Sequence, residues 1–238
     1  MSLPELEWQI LYGRFAWAMV LAALLVALLT AAWPRARRMP AAAIAFLLIG
    51  AVLLAMLPGA ASFAYWLGLA LQWPSGLLVG LSLGRLYLNW KGAREQAVMP
   101  PWLAIPIALA GSMLYLDAVG LVALGVYYVG FGPVGAPVAA LVLMLACATA
   151  AALGYSRLPA LALLLATAIF TVLRLPTGNL WDALLDPVLW TWSLVSLISM
   201  GKLRAGARRR ERLGQDSPQA GYASVVNAQT AEDIGKSA

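Results

Sequence analysis

The 238-residue chain has no histidine and one cysteine. Without histidine it lacks the commonest general base, metal ligand and proton relay at neutral pH. Ser-His and Cys-His nucleophile pairs are thereby excluded. The lone Cys147 cannot close an internal disulfide or build a metal site, so it says nothing of redox compartment. No glycine-rich loop followed by Lys-Ser or Lys-Thr is present to hold a phosphate. No carboxylate pair lies close in sequence within an apolar run. A retinal Schiff base would need a lysine inside the last apolar run, where Lys202 stands only at the edge. These absences remove most acid–base chemistry and point to a protein that is not an enzyme and uses neither cofactor nor metal.

Charge is scarce as well. Only 11% of residues are charged and 63% are hydrophobic, against about 25% and 45–50% in soluble domains. Too few polar residues remain to cover a water-facing surface. The apolar residues gather in continuous runs of about 18 or more, the length of a helix solvated by lipid. A β-barrel would show alternating segments of about ten residues. The fold class implied is all-α, a polytopic transmembrane helix bundle. The first thirteen residues hold Glu5 and Glu7 but no Lys or Arg, so the first run lacks the basic flank of a signal peptide. It is expected to remain as a membrane helix.

Seven spans can be drawn, near 15–33, 41–58, 66–88, 102–130, 134–154, 159–174 and 187–201. The fourth either stops near Asp117 or continues to Gly130. Short cytoplasmic loops collect Lys and Arg. One set of connections holds Arg35, Arg37, Arg38, Lys91, Arg94, Arg157 and all the basic residues of the tail, thirteen of the sixteen in the chain. The opposite set holds Arg14, Arg174, Glu5, Glu7, Asp182 and Asp186. That segregation requires an odd number of crossings, with the N-terminus outside and the C-terminus cytoplasmic. Trp33, Trp90, Trp102, Tyr155 and Trp181 fall at span ends, where amphipathic rings favour the headgroups. Three segments follow: a bundle over 1–201, a basic juxtamembrane stretch over 202–213, and a disordered cytoplasmic tail over 214–238. The location implied is a cell inner membrane. No internal repeat is visible.

Several features invite a functional reading, each beside a plainer one. Asp117 would be costly at depth, about 2.5–3.5 kcal/mol on insertion scales, unless it faces the bundle interior and finds a partner. Arg174, expected on the same side, is the candidate partner. Such a pair could serve a proton or a substrate, but a packing role is favoured because no polar pathway accompanies it. Arg85 stands close enough to the cytoplasmic end of its span to snorkel to the headgroups, or else to hold an anionic lipid. Gly76, Gly80 and Gly84, at i, i+4, i+8, form one flat groove for a neighbouring backbone, within the bundle or between subunits. The small residues of the fifth span, among them Ala146 and Thr149, suggest its partner. Pro74 just ahead should bend the third span.

Residues 130–137 read as an outer turn, or as irregular backbone lining a cavity. Residues 178–187 read as a short surface helix with Asp182 and Asp186 on one solvated acidic face, the last span opening at Asp186-Pro187. Arg208, Arg209 and Arg210 lead a basic stretch suited to anionic lipid rather than nucleic acid. The partners expected are the lipid bilayer and another membrane protein or a second copy. The leading expectation is a non-catalytic accessory or scaffold subunit of an inner-membrane assembly. The alternatives are a small-solute or lipid transporter or channel using Asp117 and Arg174, and an enzyme acting on lipid.

Overall fold

A computed structural model describes residues 5–33, 39–92, 98–122 and 124–215, with backbone only at 204 and 207–215. The chain is all-helical, with no strand among the described residues. It divides into two units, Met1–Leu194 and Val195–Ala238. Ten α-helices are present among the described residues: α1 (Leu6–Ala32), α2 (Ala41–Ala55), α3 (Phe63–Leu71), α4 (Gly76–Lys91), α5 (Pro101–Ala118), α6 (Val126–Val129), α7 (Gly135–Ala152), α8 (Arg157–Leu173), α9 (Leu180–Leu184) and α10 (Pro187–Gln215). Three of them, α1, α5 and α7, are long and apolar enough to cross a membrane, and α2 and α8 are shorter apolar helices. Large apolar side chains stand outward in the middle of these helices, Phe46 at 78% exposure and Leu109 at 67%.

Helix starts follow local chemistry. Ser62 caps α3 by accepting from the Ala64 N–H at 3.2 Å, and Asn179 caps α9 through the Trp181 N–H at 2.9 Å. Pro101 and Pro187 stand at first helical positions, where a missing N–H costs nothing. Gly92, at φ +71°, ends α4 in a left-handed turn open to glycine.

The stretch expected as one bent span over 66–88 is two helices instead. Gln72, with φ +61° and ψ −150°, ends α3, and Ser75 starts α4 by accepting from the Leu78 N–H at 3.1 Å. Pro74 cannot donate and disfavours helix at Trp73, and Ser75 then offers a cap, so the chain breaks rather than bends. The indole of Trp73 packs where a Cβ on Gly13 or Gly68 would stand, 2.0 Å and 2.8 Å from its ring atoms. The fourth run stops at Ala118, the shorter of the two expected ends. Residues 202–213 continue α10 without interruption. The tail beyond Gln215, together with Arg35, Arg37, Arg38 and Arg94, lies outside the described residues.

The glycine groove is filled from within. A Cβ on Gly76 would lie 3.0 Å from Ala166 Cα, one on Gly80 would lie 2.9 Å from Ala162 Cβ, and one on Gly84 would lie 2.0 Å from Leu158 Cδ2. Rising numbers on α4 meet falling numbers on α8, so the two helices run antiparallel with small residues interleaved. The partner is therefore α8 and not the fifth run, α7, which itself packs on α8.

Candidate functional site

One end of the bundle is built from polar contacts. Tyr12 donates its hydroxyl to the Pro74 carbonyl at 2.9 Å, Trp17 Nε1 donates to the Gln72 carbonyl at 3.0 Å, and Arg14 Nη1 donates to the Met56 carbonyl at 3.3 Å. The start of α1, the end of α2 and the break before α4 therefore lie at one level.

Asp186 is the hub of this end. Its Oδ2 accepts from the Ser75 N–H at 2.9 Å and from the Ser75 hydroxyl at 2.5 Å, while Oδ1 accepts from the Leu189 N–H at 2.8 Å. The residue is only 6% exposed. Two helix N-termini, those of α4 and α10, thus converge on a single carboxylate, and both dipoles favour a negative charge there. Burial still raises its pKa above the ordinary carboxylate value, against the hydrogen bonds from Ser75 and Leu189. The acidic face expected to be solvated is instead built into the fold: Asp186 is buried against Ser75, and Asp182 is half-buried against Thr177 and Tyr127.

A second set of contacts joins residues 179–181 to residues 126–130. Leu180 N–H donates to the Gly130 carbonyl at 3.1 Å, Asn179 Nδ2 to the Tyr127 carbonyl at 3.2 Å, and Trp181 Nε1 to the Val126 carbonyl at 3.0 Å. Gly130 has no room for a side chain, since a Cβ would stand 1.8 Å from Asn179 Oδ1. Asp182 accepts from the Thr177 hydroxyl and from Tyr127 Oη, the latter at 3.1 and 3.2 Å. Burial raises the Asp182 pKa, opposed by the hydrogen bonds from Thr177 and Tyr127. Tyr127 is pushed up to about 12 by burial and by the Asp182 charge.

Between these contacts lies a cavity of about 320 Å³, lined by Trp73, Tyr115, Tyr127, Trp181, Asp182 and Asp186 together with the exposed Gln72 and Ala118. Tyr115 stands edge-on to Trp190 at 5.2 Å, and its hydroxyl has no hydrogen-bond partner among the described residues. No described lining residue is Lys or Arg. Aromatic walls, two acids and an exposed amide give the cavity hydrogen-bonding capacity and a negative potential.

The other expected site residues lie elsewhere. Asp117 ends α5, and its carboxylate accepts from the N–H groups of Leu124 at 2.9 Å, Gly125 at 3.0 Å and Tyr127 at 3.3 Å. It pins the loop back onto its own helix, a local role. The Arg174 guanidinium lies over the Phe170 ring, 5.0 Å from its centroid. No Asp117–Arg174 ion pair is present among the described residues, because the loop supplies Asp117 with three nearer donors. Arg85 is half-buried on α4. The side chains of Arg208, Arg209 and Arg210 lie outside the described residues.

Gln72, Trp73, Ser75, Tyr115, Tyr127 and Thr177 were not singled out from the sequence, whereas Pro74 was, as a bend. The available signal was local: Ser75, a natural cap, directly after Pro74, and Asp186 directly before the helix-starting Pro187. Compared with known proteins, the chain matches no family model, no curated protein and no solved structure.

Proposed function

We propose that this is a seven-span inner-membrane protein of the small-solute transporter type, non-catalytic, with an outward-facing binding cavity. The crossings in this reading are α1, α2, α4, α5, α7, α8 and the first turns of α10. The short helices α3, α6 and α9 lie at the outer end, and the N-terminus is outside. The exposed apolar belt along the helices supports the bilayer, since such residues are not sustained facing water. The basic residues support the orientation.

The observation that carries the solute reading is the cavity at the break before α4. Irregular backbone at the edge of a membrane is tolerated where it lines a cavity, and a helix N-terminus there is a recurrent binding device. The accessory-subunit reading loses its main support, because the glycine groove is occupied by α8 of the same chain. What remains for an oligomer or a partner is the outward face of α7, where Ala146 and Thr149 are exposed.

The test uses purified protein in nanodiscs and three solutes of matched shape: choline, 3,3-dimethyl-1-butanol and 3,3-dimethylbutanoate. At least one, at about ten times its Kd, should raise the Tm by about 3–6 °C. A cavity-filling Ala118→Trp variant, altered at an exposed position, should keep its fold and lose the effect. If none of the three shifts the wild-type Tm, the solute reading is wrong.

A further inference from the structure

We infer that the outer cavity is selective for a small organic cation, a primary to quaternary ammonium group, which its aromatic walls and paired carboxylates would hold together. The inference rests on the solute-binding reading and narrows it to one charge class.

The argument begins with what the walls are made of. Four rings from four separate stretches of chain, Trp73, Tyr115, Tyr127 and Trp181, border one cavity. Aromatic faces present the negative side of their quadrupole, and a desolvated ammonium group among them is attracted to several at once. Two of the four are tyrosines: the Tyr127 hydroxyl donates to Asp182, and the Tyr115 hydroxyl has no hydrogen-bond partner among the described residues, which purely apolar packing would not require.

The second strand is electrostatic. Asp182 and Asp186 border the same space, and no described lining residue offsets their charge. Burial raises the Asp186 pKa, against which two helix N-termini and the Ser75 and Leu189 hydrogen bonds favour its ionised form. Among the described residues, the hydrogen-bond partners of Asp182 are two neutral hydroxyls, Thr177 and Tyr127. A carboxylate has about four lone-pair positions, so Asp182 keeps acceptor capacity for a ligand. An anion would meet two carboxylates in a partly dehydrated space; a neutral solute would leave their field uncompensated.

The third strand is size. A cavity of about 320 Å³ lies at the lower end of small-molecule sites, about 300–1,000 Å³. That suits an amine or choline-sized ion rather than a lipid headgroup with its chains. A bare metal ion is a poor occupant: the described residues contain no group of three or more acidic or cysteine side chains that could hold one.

The test is a charge series in nanodiscs, read by calorimetry and by tryptophan fluorescence. Choline should bind about tenfold or more tightly than 3,3-dimethyl-1-butanol, the scale expected of a desolvated cation–π and carboxylate site. The isosteric 3,3-dimethylbutanoate should not bind. Asp182→Asn should bring choline down to the level of the neutral isostere, with the affinity for 3,3-dimethyl-1-butanol unchanged. Tyr115→Leu, which removes a ring without touching the hydrogen-bonded joint, should weaken choline more than the alcohol. If the alcohol or the carboxylate binds as tightly as choline, the cation inference is overturned and the solute reading stands. If none of the three binds, both fall. Should Asp182→Asn not fold, Tyr115→Leu alone decides the matter.

Discussion

A Gly80→Leu variant should lose its folded state in mild detergent. The Cβ alone would stand 2.9 Å from Ala162 Cβ, 3.0 Å from its Cα and 3.2 Å from its carbonyl oxygen. Two of these three atoms are backbone, so no rotamer change makes room and α4 must part from α8. Overpacking by a methyl or two costs about 1–3 kcal/mol, and a whole isobutyl group on this seam should exceed that. Marginal stabilities of about 5–15 kcal/mol leave little reserve. Gly50→Leu is the control, since nothing lies within 4 Å of a Cβ there. Size-exclusion monodispersity and Tm should separate the two variants. Equal behaviour would mean that the α4–α8 contact is not as tight as described.

Asp186→Ala should be nearly as damaging for a different reason. It strips the acceptor from the Ser75 N–H, the Ser75 hydroxyl and the Leu189 N–H together. A buried donor left unpaired costs about 1–3 kcal/mol, and a lost helix cap about 0.5–2 kcal/mol. Because the Ser75 hydroxyl can rotate and water can enter from the cavity, the combined loss should be roughly 3–5 kcal/mol. Asp186→Asn keeps one acceptor oxygen and should lose less than half of that. Unfolding in mixed micelles, followed by helical signal, measures both. An alanine variant within about 0.5 kcal/mol of wild type, the range of an ordinary surface substitution, would show that the joint is not load-carrying.

These two residues also mark what could be read from the chain alone. The glycine spacing identified a groove, and the groove exists. Spacing cannot say which helix fills a groove, so the alanine-rich α7 drew attention, while the matching Leu158, Ala162 and Ala166 on α8 passed unnoticed. Their spacing of four is the complement that a closer comparison of helix faces could have found. Asp186 was recognised as the residue before a helix-starting proline, but its four-residue distance from Asp182 suggested a solvated face. Its carboxylate instead meets the N–H and hydroxyl of Ser75, 111 residues earlier in the chain, and no local pattern encodes that.

Asp117 teaches a related lesson. Hydropathy places a residue in depth but not in azimuth, so Arg174 was matched to it by level alone. The carboxylate found its partners within ten residues, at the turn before Val126, where Gly120 and Gly125 take positive φ values of 75° and 65°. A glycine-flanked return toward an acidic helix end was the available clue. The break at Gln72–Ser75 was half legible: proline announced a disturbance, and the serine after it, a natural cap, turned a bend into a stop.

The proposed outward-facing cavity lies at the end of the bundle away from Arg157, so sidedness tests it most directly. Single cysteines in a Cys147→Ala background test it, read in sealed right-side-out vesicles with a membrane-impermeant thiol reagent. Ala118→Cys, in the cavity lining, should be modified from outside and slowed by choline, whereas Arg157→Cys should react only after permeabilisation. Reaction of Ala118→Cys only after permeabilisation, or of both cysteines from the same side, would contradict the account.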